Sequence, residues 1–381
     1  MSYHTLAGQA SMAFDARRNA WYAAAIRRRI TPNSVVLDLG AGLGILGLIA
    51  AAAGARRVYL VEPEPVVRLA RRIAADNGLA ERVEVLEGRI EEVVLPEPVD
   101  WILSVCTGNL LFSEDLLGSL YHARDRYLKP GGGVLPERAQ LWARAVSAPH
   151  LHVRLFERWL EPQEGIDLGA GRRFAVHEIQ WPERDALRQT DPLAPAAALV
   201  DLDLGATRLT DCQGAARVQA TRGGACHGLV LWIELGAAGS PPLSSSPWEP
   251  AVHWSPAFLP LDPPLPLAPG DELHLALHRP AGGDWTWTAQ APAGTRRHST
   301  FLARLDGRER YARAAEGARP DLNPRGRALR DALAAFAAGH SVAEVADRLA
   351  RAYPAQFADR RAALEAVQSW AIRYGKKPGA I

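Results

Sequence analysis

Apolar positions recur with two different periods along this chain, and the change of period divides it. Val35–Leu39, Arg57–Val61, Val83–Leu86 and Val99–Val105 are apolar or β-branched runs of the length of buried strands. Between them lie helical stretches: an alanine-rich one runs through Ala53, and another covers Pro65–Asn77. Strand and helix signals that alternate in this way predict a doubly wound α/β domain up to about Pro136, with ligands at the carboxyl ends of its strands. After Pro130-Gly131-Gly132-Gly133 the texture changes. From about Ala139 to Thr288 short alternating segments such as Leu229–Leu235, Leu273–Leu277 and Trp285–Trp287 are punctuated by proline and glycine, an all-β pattern. A helical region begins near Asn323. Leu329, Leu333 and Phe336 share one face and Gly339 ends that helix. Ser341 with Glu344 forms a capping box for a second helix to Tyr353, and Asp359 caps a third that carries Leu364, Val367 and Tyr374 before Gly375.

The first strand runs into Asp38-Leu39-Gly40-Ala41-Gly42-Leu43-Gly44-Ile45-Leu46-Gly47, a glycine turn that lets backbone approach a ligand without a Cβ in the way. Gly42, Gly44 and Gly47 fit the G-x-G-x-x-G dinucleotide fingerprint, and Glu62 stands at the right distance to hold a ribose. A tight turn with no ligand is the bland alternative. Asp38 argues against a dinucleotide, since a carboxylate just before the loop repels a pyrophosphate and suits a cofactor with a cationic amino-acid end. S-adenosylmethionine is therefore favoured over NAD.

Composition narrows the partners. Forty-four Lys and Arg against 42 Asp and Glu leave a net charge of +2, which gives no reason to expect nucleic acid or an anionic membrane. The most apolar run, Ile45 to Ala55, is too short to span a bilayer, and the N-terminus lacks a signal peptide's pattern, so the cytoplasm is the expected location. Cys106, Cys212 and Cys226 are widely spaced and odd in number, as for reduced thiols. His150 with His152 and His274 with His278 look like metal pairs, but each is read as lying in a strand without a clustered third ligand, so no metal is expected.

Five short segments, in order, resemble motifs of the protein arginine methyltransferase family. Met12-Ala13-Phe14-Asp15-Ala16-Arg17-Arg18, followed by Tyr22, is similar to its cofactor-covering helix, and Glu87-Gly88-Arg89-Ile90-Glu91-Glu92 to its adenine-contacting segment. Ser104-Val105-Cys106-Thr107-Gly108-Asn109, then Glu114, stands where the family has its double-glutamate hairpin, with Ala123 to Pro130 following as in the family. Val252-His253-Trp254 resembles its Thr-His-Trp loop. The resemblance spans about residues 1–305. It implies a Rossmann-like class I S-adenosylmethionine-dependent methyltransferase domain (1–137), a β-barrel substrate domain (138–305) with a dimerisation arm near 159–185, and beyond it the small helical domain (323–381). A homodimer is expected with it.

The resemblance also assigns roles. Arg18 would pair with the cofactor's carboxylate; Asp38, Gly40, Gly42 and Gly44 would shape the loop and support the polar end. Glu62 would accept the ribose hydroxyls, Glu91 would take the adenine amino group, and Ile90 would pack on the ring. Asp15 and His253 would meet as a latch across the site, with the carboxylate raising the basicity of the imidazole so that the pair could relay a proton, or else acting as structure alone. Trp254 and Asn109 would line the acceptor side.

One departure bears on the substrate. Glu114 matches the second glutamate of the family's pair, while Val105 occupies the place of the first. A buried guanidinium would then lack one charge partner, at a cost of several kcal/mol. Asp115, adjacent to Glu114, would point elsewhere. The reading is a methyltransferase acting on a nitrogen of a peptide or protein side chain other than arginine, such as histidine or an amine. A small-molecule N- or O-methyltransferase and a cofactor-binding scaffold without turnover are the alternatives.

Overall fold

The computed structural model describes residues 5–105 and 108–376 of the 381. Cys106 and Thr107 of the hairpin segment lie outside the described residues. The chain forms two compact units, Met1–Leu305 and Asp306–Ile381.

The first unit opens with α1 (Leu6–Ala13), capped by the Thr5 hydroxyl, and α2 (Ala16–Arg29), capped by Asp15. A parallel sheet follows. Strands β1 (Val35–Leu39), β2 (Arg57–Glu62), β3 (Val83–Glu87), β4 (Val99–Ser104) and β5 (Leu128–Leu135) lie in the order β3-β2-β1-β4-β5. Helices α3 (Ile45–Ala52), α4 (Val67–Asp76) and α5 (Leu117–Tyr127) provide the connections. Every residue of β1 is buried, which is why the sequence there is unbroken Val and Leu around one aspartate. The order reverses direction on either side of β1, so the crevice at its carboxyl end is the expected ligand position. The Tyr22 hydroxyl, fully buried, donates to the Ser104 carbonyl at 2.9 Å and fixes α2 to the end of β4.

β5 passes directly into β6 (Arg138–Ser147), the first strand of two antiparallel sheets. One sheet centres on β6 and the long strand Gly224–Gly236; the other contains Cys212–Gln219, Glu272–Arg279, Thr286–Ala291 and Gly294–Ser299. Ala197–Asp203 packs beside Cys212–Gln219, and Ala257–Leu267 beside Gly294–Ser299, so the two sheets close into a barrel. Its interior takes alternate residues: Leu229, Leu231, Ile233 and Leu235 join the core shared with the parallel sheet. Val230 and Trp232 point the other way, yet they too are buried.

What covers them corrects the all-β reading. Residues 149–188 hold helices, Pro149–Leu155, Arg172–Ala175 and Arg184–Arg188, which lay Leu151, Phe156, Ala175, Val176 and Leu187 on the barrel's outer face. His150 and His152 are therefore helical rather than strand residues: His152 Nε2 contacts Glu157 at 3.0 Å, and His150 Nε2 the Ala186 carbonyl at 2.9 Å. Among the described residues no group of three or more His, Cys, Asp or Glu has metal-site geometry. Within 159–185, Arg172 is bound to Asp262 (3.0 and 2.8 Å) and to Glu157 (2.9 Å), and Gln180 pairs with Phe258. Much of the segment thus lies on its own barrel. Its tip, with Leu160, Ile166 and Leu168 exposed, carries no apolar cover.

The second unit contains Gly307–Ala314 and then helices Pro324–Ala337, Val342–Ala352 and Arg360–Tyr374. Asn323, Ser341 and Asp359 cap them, and Ser341 with Glu344 makes a full capping box. Of the positions read as apolar faces, Val367 is in the core and Leu329, Phe336 and Leu364 pack against it, while Leu333 and Tyr374 do not. The core is Ala328, Ala332, Ala335, Val345, Ala346, Leu349, Ala363, Val367 and Trp370, with Leu333 and Tyr374 exposed. No helix among the described residues is long and apolar enough to cross a membrane.

Candidate active site

A cavity of about 530 Å³ opens at the carboxyl end of β1, bounded by α1, α2, the glycine loop, the Glu114 turn and the His253-Trp254 loop. Arg18, Asp38, Gly40, Gly42, Glu62, Val105, Glu114, His253 and Trp254 all line it. Residues from five separate stretches of sequence therefore converge. Gly44 shapes the turn from behind.

The loop is held in a left-handed conformation at Gly40, Gly42 and Gly44, with φ of +68°, +54° and +77°. At Gly42 the requirement is doubled, because a Cβ there would sit 2.5 Å from Gln9 Oε1 on α1. Glu62 braces the loop from β2. One carboxylate oxygen accepts the Gly42 N–H (3.0 Å) and the other the Glu64 N–H (2.9 Å).

Asp38 accepts the Gly47 N–H at 2.7 Å. Burial pushes its pKa up to about 7, and Glu62 adds to the rise, while the Gly47 hydrogen bond and Arg18 oppose it. Arg18 is 2% exposed, with Nε and Nη2 donating to Asn19 Oδ1. Asp38, Glu62, Glu64 and Glu114 thus line the cavity together with Arg18, the one Lys or Arg among its described lining residues. These residues fit S-adenosylmethionine: a cationic amino group suits Asp38, a carboxylate suits Arg18, and the glycine cradle leaves room that a Cβ would fill.

Asp15 does two jobs through its two oxygens. Oδ1 caps α2 by accepting the Arg18 N–H (2.9 Å), while Oδ2 accepts both the His253 backbone N–H (2.8 Å) and His253 Nδ1 (3.0 Å). The helix start and the barrel loop are pinned by one side chain. Asp15 does raise the basicity of the imidazole, but the net shift is downward. Burial, then the positive Arg18, lower the His253 pKa to about 4 and outweigh Asp15. The ring is neutral near pH 7, carries its proton on Nδ1 toward Asp15, and is a weak base. Trp254, 4% exposed, lies tilted against it with ring centres 4.0 Å apart.

Glu114 enters from a turn with unusual backbone. Gly108, Leu110, Leu111 and Asp115 all have positive φ, at +46°, +57°, +62° and +55°. For the three non-glycine residues this costs on the order of 1 kcal/mol or more each, so surrounding structure must hold it. A Cβ at Gly108 would lie 2.8 Å from Glu114 Cδ, so the turn wraps closely round that carboxylate. The clamp is Arg279, a barrel residue that sequence reasoning missed. Only 5% exposed, it forms two hydrogen bonds with Asp115 (2.6 and 2.8 Å) and a third with the Phe112 carbonyl (2.6 Å). Asp115 is thereby turned away from the cavity, and Arg279 holds its carboxyl below the usual range. Asn109 also serves the loop, its Oδ1 accepting the Ser255 N–H at 3.0 Å, and is not among the cavity's lining residues.

Two further residues stand apart. Ile90 is 3% exposed within the core, and Glu91 accepts the Ser119 hydroxyl at 2.6 Å and pairs with Arg89. Neither is among the cavity's lining residues. Gln9, Met12, Leu43 and Leu116 do line it. Gln9 went unnoticed in sequence because a lone glutamine in an N-terminal helix gives no signal.

Residues 36–132 match a methyltransferase domain and residues 137–282 the arginine methyltransferase oligomerization subdomain. An arginine N(omega)-methyltransferase of Streptomyces achromogenes subsp. streptozoticus is 33% identical over 279 residues, which covers 70% of this chain and 74% of that protein. This chain belongs to the protein arginine methyltransferase family. It is an S-adenosylmethionine-dependent methyltransferase with a Rossmann-like domain and a barrel. The structure of the Trypanosoma brucei PRMT1 enzyme-prozyme complex with AdoHcy superposes with a TM-score of 0.71 and 25% identity, over 78% of this chain and 99% of that one. Arabidopsis thaliana protein arginine methyltransferase 10 shares the fold, with a TM-score of 0.66 and 22% identity over 78% of this chain and 99% of its own.

Proposed function

We propose that this methyltransferase acts on a nitrogen that is neutral, or is made neutral, in the site: a histidine imidazole or an amine on a peptide or protein side chain. The observation that carries the proposal is the pairing of Val105 and Glu114 on the acceptor side of one cavity. A guanidinium is charged at any working pH and, when buried, needs negative partners on more than one side. With an apolar side chain at position 105 and Asp115 bound to Arg279, Glu114 is the one carboxylate of its turn that faces the cavity.

When bound, S-adenosylmethionine supplies a methyl group on a positively charged sulfur. Arg18 would hold its carboxylate, Asp38 its amino end and Glu62 the ribose, while the glycine loop would keep the backbone close. Asp15 and His253 close the site as a latch, the reading that a neutral, weakly basic imidazole favours over proton relay. Glu114 accepts a hydrogen bond from the acceptor N–H and so aims the nitrogen lone pair at the methyl carbon. Glu114 would also take the acceptor's proton as the nitrogen is methylated, the lone pair and the methyl carbon being held in line. Alignment supplies much of the rate.

A second reading has an observation of its own. The Streptomyces relative's name specifies arginine and not protein, so a free small molecule in place of a peptide side chain is the alternative acceptor. Incubation with methyl-labelled cofactor, histidine- and lysine-containing peptides, and the corresponding free amino acids separates the two by where the label appears. Tight cofactor binding without label on any acceptor would leave the scaffold reading. For assembly, we take the exposed Leu160, Ile166 and Leu168 tip within the oligomerization subdomain as the homodimer contact; Ile166→Asp should shift the protein to monomer in light scattering.

A further inference from the structure

The helical unit is electrostatically unlike the rest of the chain. Between 306 and 381 stand fourteen Lys and Arg against nine Asp and Glu, whereas the preceding 305 residues carry an excess of acid. Within 324–374 the imbalance is sharper, because the five acidic side chains there are all committed. Asp331 is bound by Arg330 and Tyr353, Asp347 by Arg360, and Glu365 by Arg361. Glu344 and Asp359 cap helices. The surplus is arginine.

Part of that surplus faces one groove. Between the start of helix 324–337 and the end of helix 360–374 lies a cavity of about 410 Å³, lined by Asn323, Arg325, Gly326, Leu329, Ser369, Trp370, Arg373 and Tyr374. Leu329 and Trp370 give it an apolar floor, and Gly326 keeps one wall low. No acid lines it, and among the described residues neither Arg325 nor Arg373 has an acidic partner. Leu322 and Tyr374, 46% and 49% exposed, add apolar surface beside it. The groove on the other side of the first helix is different: it has Asp331 with Arg348 and Arg351, an acid already within its own lining.

Apolar floor and unneutralised cationic walls together select a ligand with the reverse arrangement. We infer that this groove docks an acidic peptide segment, with one bulky apolar side chain on Trp370 and flanking carboxylates on Arg325 and Arg373. Arginine suits the role because its planar fork takes a carboxylate in two hydrogen bonds. The volume fits one large side chain with its neighbours. Because the unit is covalently joined to the methyltransferase, docking there raises the local concentration of the acceptor-bearing peptide at the active site without a new contact in it. The purpose rests on the peptide reading proposed above; the binding itself does not.

The test uses the full chain and fluorescence anisotropy with three labelled fifteen-residue probes: one of glutamate and leucine around a central phenylalanine, its glutamine counterpart and its lysine counterpart. The glutamate probe should bind at least about tenfold more tightly than the glutamine probe, with the lysine probe weakest. Arg325→Glu with Arg373→Glu should remove that preference, while Arg325→Lys with Arg373→Lys keeps most of it. Both positions are exposed, and cofactor affinity and the melting curve of each variant report that it is folded. Equal binding of the glutamate and glutamine probes, or a charge-reversed protein that binds the glutamate probe unchanged, overturns the inference. If the probe docks as expected while label is found on free amines, the groove stands and the peptide acceptor falls.

Discussion

The two halves of the active-site cavity are built in different ways. On the donor side, Asp38, the glycine loop and Glu62 belong to adjacent strands, and each is satisfied by backbone groups a few residues away or one strand over. On the acceptor side, Glu114 rides on a left-handed turn whose conformation is held from the barrel by Arg279, 164 residues beyond Asp115. The donor site is locally determined and the acceptor site is imposed by tertiary structure. The first can stay constant while the second changes, and Val105 lies on the second.

If the halves are separable, a change in one should spare the other. The largest effect is expected for Glu114→Gln, which removes the proton acceptor and should lower kcat by about 10²–10⁴-fold while leaving cofactor affinity in calorimetry nearly unchanged. A comparable loss of cofactor binding would mean that the halves are coupled. Asp38→Ala should do the converse and weaken the cofactor by roughly a hundredfold. Because Asp38 also accepts the Gly47 N–H, a melting curve is needed beside the titration.

Arg279→Ala tests the clamp. Losing three hydrogen bonds to the Glu114 turn should reduce kcat by about tenfold through misplacement, with cofactor affinity preserved and partial recovery in Arg279→Lys. Unchanged kcat would show that the turn keeps its shape unaided.

The smallest effects are in pH. The Asp38 pKa of about 7 lies above the usual carboxylate value of 3.8, so the folded chain holds a proton there that the unfolded chain releases. Its contribution to stability declines as pH rises through that window, and a cationic cofactor end should bind several-fold better at pH 8 than at pH 6. His253 runs the other way. With a folded pKa of about 4 against 6.5, it leaves stability intact above pH 6.5 and costs stability as pH falls toward 4. Nuclear magnetic resonance titration of the His253 ring should find no transition between pH 6 and 7; one there would restore the proton-relay role.

The same local and nonlocal division decides what was legible in sequence. β1, the glycine loop and the caps at Ser341 and Asp359 are short-range patterns, and each is found where its residues place it. The helices over 149–188 were hidden because their apolar residues cover a barrel face that is itself apolar, Val230 and Trp232, so neither partner shows a clean polar side. Leu333 and Tyr374 were misplaced, and alanine holds buried positions on both their helices. Arg279 was invisible, since nothing near it in sequence announces a partner 164 residues away.

The central claim is that Val105 in place of a carboxylate fits the acceptor site to a neutral nitrogen. Its most direct test is mass-spectrometric localisation of a labelled methyl group on two peptides identical except for histidine or arginine at the acceptor position. The account predicts label on the imidazole nitrogen and none on the guanidinium. Label on the guanidinium of the arginine peptide would contradict it.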